Sequence, residues 1–242
     1  MNHALYAAAS GMAAQQTNLD VIANNLANAD VAGFKGAAAS FTDIGTQGAS
    51  GLGTASIGSH TLFSQGKLMK SGGPFDLAID GTGFFQVEDP RGRRAYTRDG
   101  EFARWADGSV RNAQGWRLPG LRIPREAVSI NVTENGAVII QTAKSRHCIG
   151  SIRVATFAAP EKLQSRGGTL FVADAACGPV NFVVPGGSGK PKIMFGMLEQ
   201  SNVSIVESMM QILAAQRAYE ANAKGIQAAD EMMRIANNLH RG

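Results

Sequence analysis

Two apolar stripes, one at each end of the chain and separated by a long middle of different periodicity, set the terms of the fold. At the N-terminus Leu5, Ala8, Met12, Gln15, Leu19, Ile22 and Leu26 recur at alternating spacings of three and four. That spacing puts them on one side of a helix. The remaining sides are built from Ala4, Ala7, Ala9, Ala13, Ala14, Ala23 and Ala27 rather than from charges, so close approach is open on several faces. The helix should end near Asn28–Asp30, with Gly33 suited to a chain reversal. At the C-terminus Ser204 and Glu207 have the spacing of a capping box. After them Ile205, Met209, Ile212, Gln216, Tyr219, Ala223, Ile226, Asp230 and Met233 keep a strict four-three alternation. A second row, Val206, Met210 and Leu213, widens that stripe over its first half.

Between the stripes the period changes to two. Phe75, Leu77 and Ile79 alternate, as do Val128, Ile130 and Val132, and Ile152, Val154 and Thr156. Asp80-Gly81, Asp99-Gly100, Asp107-Gly108 and Asn135-Gly136 punctuate the run with residues that tolerate positive φ. Short strands with such frequent turns mean antiparallel pairing rather than βαβ units, and Tyr96, Phe102, Trp105 and Trp116 supply bulk for a core. Gly, Ser and Thr dominate between Gly45 and Gly73, which reads as a linker with a partly ordered end. The expected fold class is therefore α+β: N- and C-terminal helices paired as a coiled coil, with an inserted antiparallel β-rich domain. The expected boundaries are 1–40 and 199–242 for the helical domain, 41–74 for the linker and 75–198 for the β-rich domain.

Two paired helices bury little, and an apolar patch left in contact with water marks an interaction surface. The chain is glycine-rich, with 29 in 242 residues, and only 17% charged, a sparsely charged surface for a free monomer. Residues 1–34 hold no Lys or Arg and two acids, and 199–242 hold four bases against five acids, so the middle carries +7, scattered through its turns. No basic stripe forms, so no nucleic-acid partner is expected. No window approaches 18 apolar residues, so no membrane insertion is expected. A cleavable leader is not expected either, because the first 28 residues lack a cation and polar residues break their apolar run. The helical ends should complete themselves against copies of the same chain, and contacts that do not close generate tubes or filaments.

Constellations for catalysis are thin. His147-Cys148 invites a nucleophile–base reading, but neighbours in a strand point to opposite faces, which favours a core cysteine beside a surface histidine. Cys148 and Cys177 fit two free thiols or a single bridge, and neither fits a metal spacing. Asp76 and Asp80 share a strand face, yet each borders a turn where Asp is favoured structurally. Gly81-Thr82-Gly83 lacks the third glycine and following helix of a dinucleotide loop, and Gly186–Lys190 lacks the helix of a phosphate loop. No catalytic residue, metal or cofactor is expected. The alternative is a secreted β-domain binding module or hydrolase whose terminal helices serve only to oligomerise, which requires a concave pocket with convergent polar groups in the 75–195 region.

The run Asp20-Val21-Ile22-Ala23-Asn24-Asn25-Leu26-Ala27-Asn28, followed by Gly33-Phe34-Lys35, resembles the signature of the bacterial flagellar basal-body rod and hook family. Further blocks agree in order: Ser64-Gln65-Gly66-Lys67-Leu68, the run from Asp76 to Val87, the run from Ala95 to Phe102, Leu198–Val203, and Gln216-Arg217-Ala218-Tyr219-Glu220. The likeness covers nearly the whole chain and is weakest over Ala143–Gly189. It implies a structural subunit of the periplasmic rod, exported by the flagellar type III apparatus on its uncleaved N-terminal segment and polymerising with copies of itself and other rod proteins. It also implies helix-end hydrogen bonds between neighbours from Asn24, Asn25 and Asn28. With the stripes, the expected assembly interface is Leu5, Met12, Leu19, Ile22, Asn24, Asn25, Leu26, Asn28, Ile205, Met209, Ile212, Tyr219, Ile226 and Met233. Within the family, the short segment from Phe41 to Phe63 and the opening Asn2–Tyr6 favour the proximal-rod, FlgF-like branch over the distal-rod, FlgG-like branch.

Overall fold

The computed structural model describes residues 3–45, 53–143 and 145–239. In chain order its elements are α1 (His3–Ala27), β1 (Ala37–Asp43), β2 (Thr54–Thr61), β3 (Leu68–Lys70), β4 (Leu77–Asp80), β5 (Phe84–Glu88), β6 (Arg94–Thr97), β7 (Phe102–Arg104), β8 (Ser109–Asn112), β9 (Arg117–Arg122), β10 (Ser129–Val132), β11 (Ala137–Gln141), β12 (Arg146–Ser151), β13 (Val154–Thr156), β14 (Gln164–Gly167), β15 (Leu170–Val172), β16 (Asn181–Val183), β17 (Lys192–Phe195), β18 (Met197–Glu199) and α2 (Ile205–Leu239). The class is α+β as expected, with paired terminal helices and an inserted region whose strands all pair antiparallel. Two compact units emerge. One comprises the described residues within Met1–Ala27, Gly36–Leu62 and Val203–Gly242; the other comprises Asn28–Lys35 and the described residues within Phe63–Asn202.

The helical unit holds α1, α2 and a two-stranded ribbon, β1 with β2, paired from Ala37↔Thr61 to Asp43↔Thr54 with a register shift between Ser40 and Phe41. That ribbon is a departure from the sequence-based boundaries, because it takes in much of the segment expected to be a linker; residues 46–52 of that segment lie outside the described residues. An isolated two-stranded ribbon is marginal in water. Here it is fastened to α1 by side chains: Ser10 Oγ accepts from Thr54 N (3.0 Å), and the Asn25 amide accepts from Ala37 N (2.8 Å) while donating to Ala37 O (2.7 Å). The start of α2 shows the serine half of the expected capping box, with Glu207 N donating to Ser204 Oγ at 3.4 Å, while the Glu207 carboxylate accepts from Gln211 Nε2 at 3.4 Å.

The β unit is organised around one nine-stranded sheet whose main path runs β14-β15-β6-β5-β9-β8-β7, with β13 and β16 branching from β5. Alternation along β5 explains its two cores. Phe85 points into the larger one, edge-on to Phe102 at 5.6 Å, among Leu77, Ile79, Val87 and Val154. Its neighbour Phe84 points the other way, into an aromatic cluster with Phe63 (5.2 Å), Phe157 and Phe171. Trp105 does not join either core as expected; it is 47% exposed, because its ring lies beneath the Arg111 guanidinium at 4.9 Å on the surface. The expected turn glycines Gly81, Gly108 and Gly136 have positive φ. Gly100 is glycine for space instead, since a Cβ there would sit 1.5 Å from Leu77 O.

The ends of the β unit lie side by side. Gly33 N donates to Glu199 O (2.7 Å) and Asn202 N to Phe34 O (3.4 Å). Gly33 has φ +66°, and a Cβ on it would fall 2.2 Å from Asp99 N. Residues 28–35 and 199–202 thus belong with the β unit, whereas sequence boundaries assigned both to the helices. The reason is polar: Lys35 and Glu199 find their partners inside the β unit.

Candidate assembly surface

On α1 the expected stripe is present as burial. Ile22 is buried, Leu5, Ala8, Met12, Gln15, Leu19 and Leu26 are half-buried, and Tyr6, Ala9, Ala13, Ala23 and Ala27 are exposed. Gly11 sits where a Cβ would come within 2.9 Å of the Asn222 amide on α2, so the two helices touch nearly backbone to side chain at that level. Asn24 is exposed and Asn25 is committed to the ribbon through Ala37; Asn28 is half-buried, its carbonyl accepting from Val31 N at 3.2 Å.

On α2 the buried side is rotated from the expected one. Ser208 and Ala215 are buried, and Ile212, Ala218, Asn222, Ile226, Ala229 and Met233 are half-buried. Of the expected row, Ile212, Ile226 and Met233 share this side, and Ala223 is half-buried as well. Ile205, Met209 and Tyr219 instead face outward with 42%, 53% and 40% of their surface exposed, as do Gln216 and Asp230. Both rows obey the same four-three spacing, and what separates them is size. Ser208, Ala215, Asn222 and Ala229 recur every seven residues and permit the close approach seen at Gly11, which larger side chains would block.

The consequence is an uncovered apolar face. Val206 (68% exposed), Met210 (59%) and Leu213 (56%) join Ile205 and Met209 along the first turns of α2, where Glu207 is the lone charge before Arg217. Met232 and Ile235 repeat the pattern near its end. Contiguous exposure of this kind marks a docking surface.

The β unit offers other surfaces but no comparable constellation. One concavity, of about 910 Å³, is lined by Asp30, Ser71, Asp76, Glu101, Trp105 and neighbouring apolar residues. Asp76 is buried and receives a short hydrogen bond from Ser71 Oγ. Nearby, burial pushes the Asp99 carboxyl up to about 6, against a hydrogen bond from Glu101 N. Cys177 is a free thiol in the aromatic core; His147 is exposed as expected, its Nε2 3.0 Å from Ser145 Oγ, but Cys148 is exposed too, contrary to expectation. Among the described residues no group of three or more His, Cys, Asp and Glu side chains is placed to hold a metal ion, and no helix is long and apolar enough to cross a membrane.

Comparison with known proteins covers both ends and the middle. A family described as flagella basal body rod protein matches residues 5–35, the flagellar hook protein FlgE/F/G D1 domain matches 78–140, and the flagellar basal body rod FlgEFG protein C-terminal region matches 195–239. The flagellar basal-body rod protein FlgG of Borreliella burgdorferi is 39% identical across the whole of both chains. FlgG of Agrobacterium fabrum is 37% identical over 97% of this chain and 98% of its own. FlgF of Caulobacter vibrioides is 32% identical over 98% and 97%. The sequence-based preference for the FlgF-like branch is thereby not supported. It rested on the opening Asn2–Tyr6 and on the length of the Phe41–Phe63 segment, part of which is the β1–β2 ribbon.

Proposed function

The chain belongs to the flagellar basal-body rod protein family, and we propose that it builds the rod through the apolar side of α2 that its own fold leaves uncovered. It is a structural subunit of the bacterial flagellar basal body, polymerising helically with its own copies and other rod proteins into the shaft that carries torque to the hook. Its role is non-catalytic. Entry into the flagellar type III export apparatus is assigned to the N-terminal segment.

The observation that carries the reading is the complementarity of two different patches. Val206, Met209, Met210 and Leu213 on α2 are exposed large side chains, whereas Ala9, Ala13, Ala23 and Ala27 on α1 are exposed small ones. Large side chains of one copy seated among small residues of the next make a heterologous contact, which propagates instead of closing. Leu5, Met12, Leu19, Ile22 and Leu26, with Ile212, Ile226 and Met233, then serve the assembly by holding the pair together, while Ile205, Met209 and Tyr219 meet the neighbour directly. Asn24 and Asn28 border that contact, and Asn25 acts through the ribbon.

The test is the double variant Val206→Asp/Met210→Asp in the full chain. Both sites are exposed in the monomer, so the β unit's urea midpoint should be unchanged, while the protein should no longer sediment as polymer or enter basal bodies. Normal incorporation of the double variant would dismiss the proposal.

A further inference from the structure

Three charged side chains that the assembly surface does not use meet inside the β unit. Glu199 and Lys35 are separated by 164 residues, yet Glu199 Oε1 accepts from Lys35 Nζ at 2.6 Å and from Gly66 N at 2.8 Å. Its other oxygen accepts from Arg98 Nη1 at 2.9 Å. The Glu199 side chain is 0% exposed, Lys35 1% and Arg98 5%. The cations are satisfied further by backbone carbonyls: Lys35 Nζ donates to Ser64 O (2.7 Å), and Arg98 donates to Ile79 O (3.3 Å) and Gly81 O (2.6 Å). One carboxylate thus joins residues from the unit's first segment, its last strand, the 63–66 stretch and the β6 end.

Such a cluster is a poor source of net stability, because desolvating three charges offsets most of their attraction; its force lies in the cost of leaving any of them unpaired. Burial pushes the Lys35 ammonium below its usual range, the Arg98 charge adds to that, and Glu199 opposes it. Remove the carboxylate and two buried cations remain with no counter-charge. None of the three is a member of the apolar cores around Phe85 and Phe84, and their one ring contact with them is the Arg98 guanidinium over the Phe84 ring at 5.5 Å.

We propose that Glu199 is a clasp that closes the β unit at its ends: the sheet and its cores form without it, while residues 28–35 and 197–202 lock together only when its carboxylate docks between Lys35 and Arg98. Glu199 is therefore a positioning residue for the two points at which the chain leaves the β unit. The clasp makes their placement all-or-none, since neither Lys35 nor Arg98 has another carboxylate partner among the described ion pairs.

Amide hydrogen exchange on the full chain, held monomeric by dilution, separates a clasp from a general stabiliser. The reporters are Gly33 N, bonded to Glu199 O, and Gln200 N, bonded to Lys67 O at 2.9 Å; the controls are the amides of Val87 and Ala95 in the β5–β6 ladder. In Glu199→Gln, which keeps the shape and removes the charge, the reporters should lose protection by about a hundredfold or more, with the controls within about threefold. Lys35→Met leaves the neutral Arg98–Glu199 pair and should loosen the same reporters by a smaller factor. Should Glu199→Gln fail to fold, the exchange of Lys35→Met against wild type decides alone. Reporters and controls falling together, or reporters that do not move, would overturn the clasp, and neither result bears on polymerisation.

Discussion

Replacing Asp99 by Asn should stabilise the β unit at neutral pH and flatten its pH response. Asp99 is 8% exposed, its Oδ1 accepts from Glu101 N at 2.9 Å and its Oδ2 from Thr169 Oγ1 at 3.4 Å. Burial is the largest cause of its raised pKa, with the Glu101 and Asp76 carboxylates adding to it, and the value reaches about 6 against an ordinary 3.8. The difference amounts to about 3 kcal/mol at 1.36 kcal/mol per decade. Because the folded state holds the proton more tightly, stability from this group is complete below about pH 4, declines as pH rises, and is lost above about 6. Asn keeps the acceptor for Glu101 N and offers Thr169 a donor in place of a charge. Both tryptophans, Trp105 and Trp116, lie in the β unit, so their emission in urea follows that unit alone. With a urea slope of about 2 kcal/mol per molar, the variant's midpoint should exceed wild type by up to about 1.5 M at pH 8 and by little at pH 4. A difference between the two proteins that is the same at both pH values would refute the reasoning.

Gly33→Ala must hold φ +66° with a Cβ 2.2 Å from Asp99 N and 2.5 Å from the Arg98 carbonyl carbon, so a loss of about 2–5 kcal/mol in the β unit's urea stability is expected. Ala215→Leu overfills the rotated seam, where Ala215 is 3% exposed, and should lower the far-ultraviolet helical signal of the assembled protein at a cost of about 1–3 kcal/mol. Leu213→Ala, two residues away but outward-facing, should leave that helical signal alone.

The legible parts of the fold were those written in local periodicity. The α1 stripe, the Ser204 cap and the strands β4 and β13 each follow from local spacing, although β4 and β13 are buried on successive residues rather than on alternate ones. The phase of α2 did not follow, because large and small residues share the four-three rhythm and only contact with Gly11 decides which row turns inward. The β1–β2 ribbon was hidden by a Gly/Ser/Thr composition that has no core of its own and is held by Ser10 and Asn25 of α1. Least legible was the Lys35–Glu199–Arg98 cluster. Its one hint was Lys35 itself, the first cation of the chain, directly after Gly33-Phe34; nothing local ties it to a carboxylate near the other end.

Burial is divided unequally between the units, and that division bears on when the helices become stable. The β unit has two dense clusters. In α1 the buried side chains among those described are Ala14 and Ile22, and in α2 they are Ser208 and Ala215. Apart from Ile22 these side chains are small and remove little apolar surface from water, and in proteins most helix stability comes from packing rather than propensity. The outer face of α2 carries the larger residues, so on the proposed assembly most of the further burial open to the helices arises at contacts between copies. A dilute monomer should therefore show a β unit that unfolds cooperatively by tryptophan emission while the helical circular dichroism is weak, and that signal should grow with concentration as polymer forms. Full helicity at every dilution, melting together with the β unit, would mean that α1 and α2 are complete without neighbours.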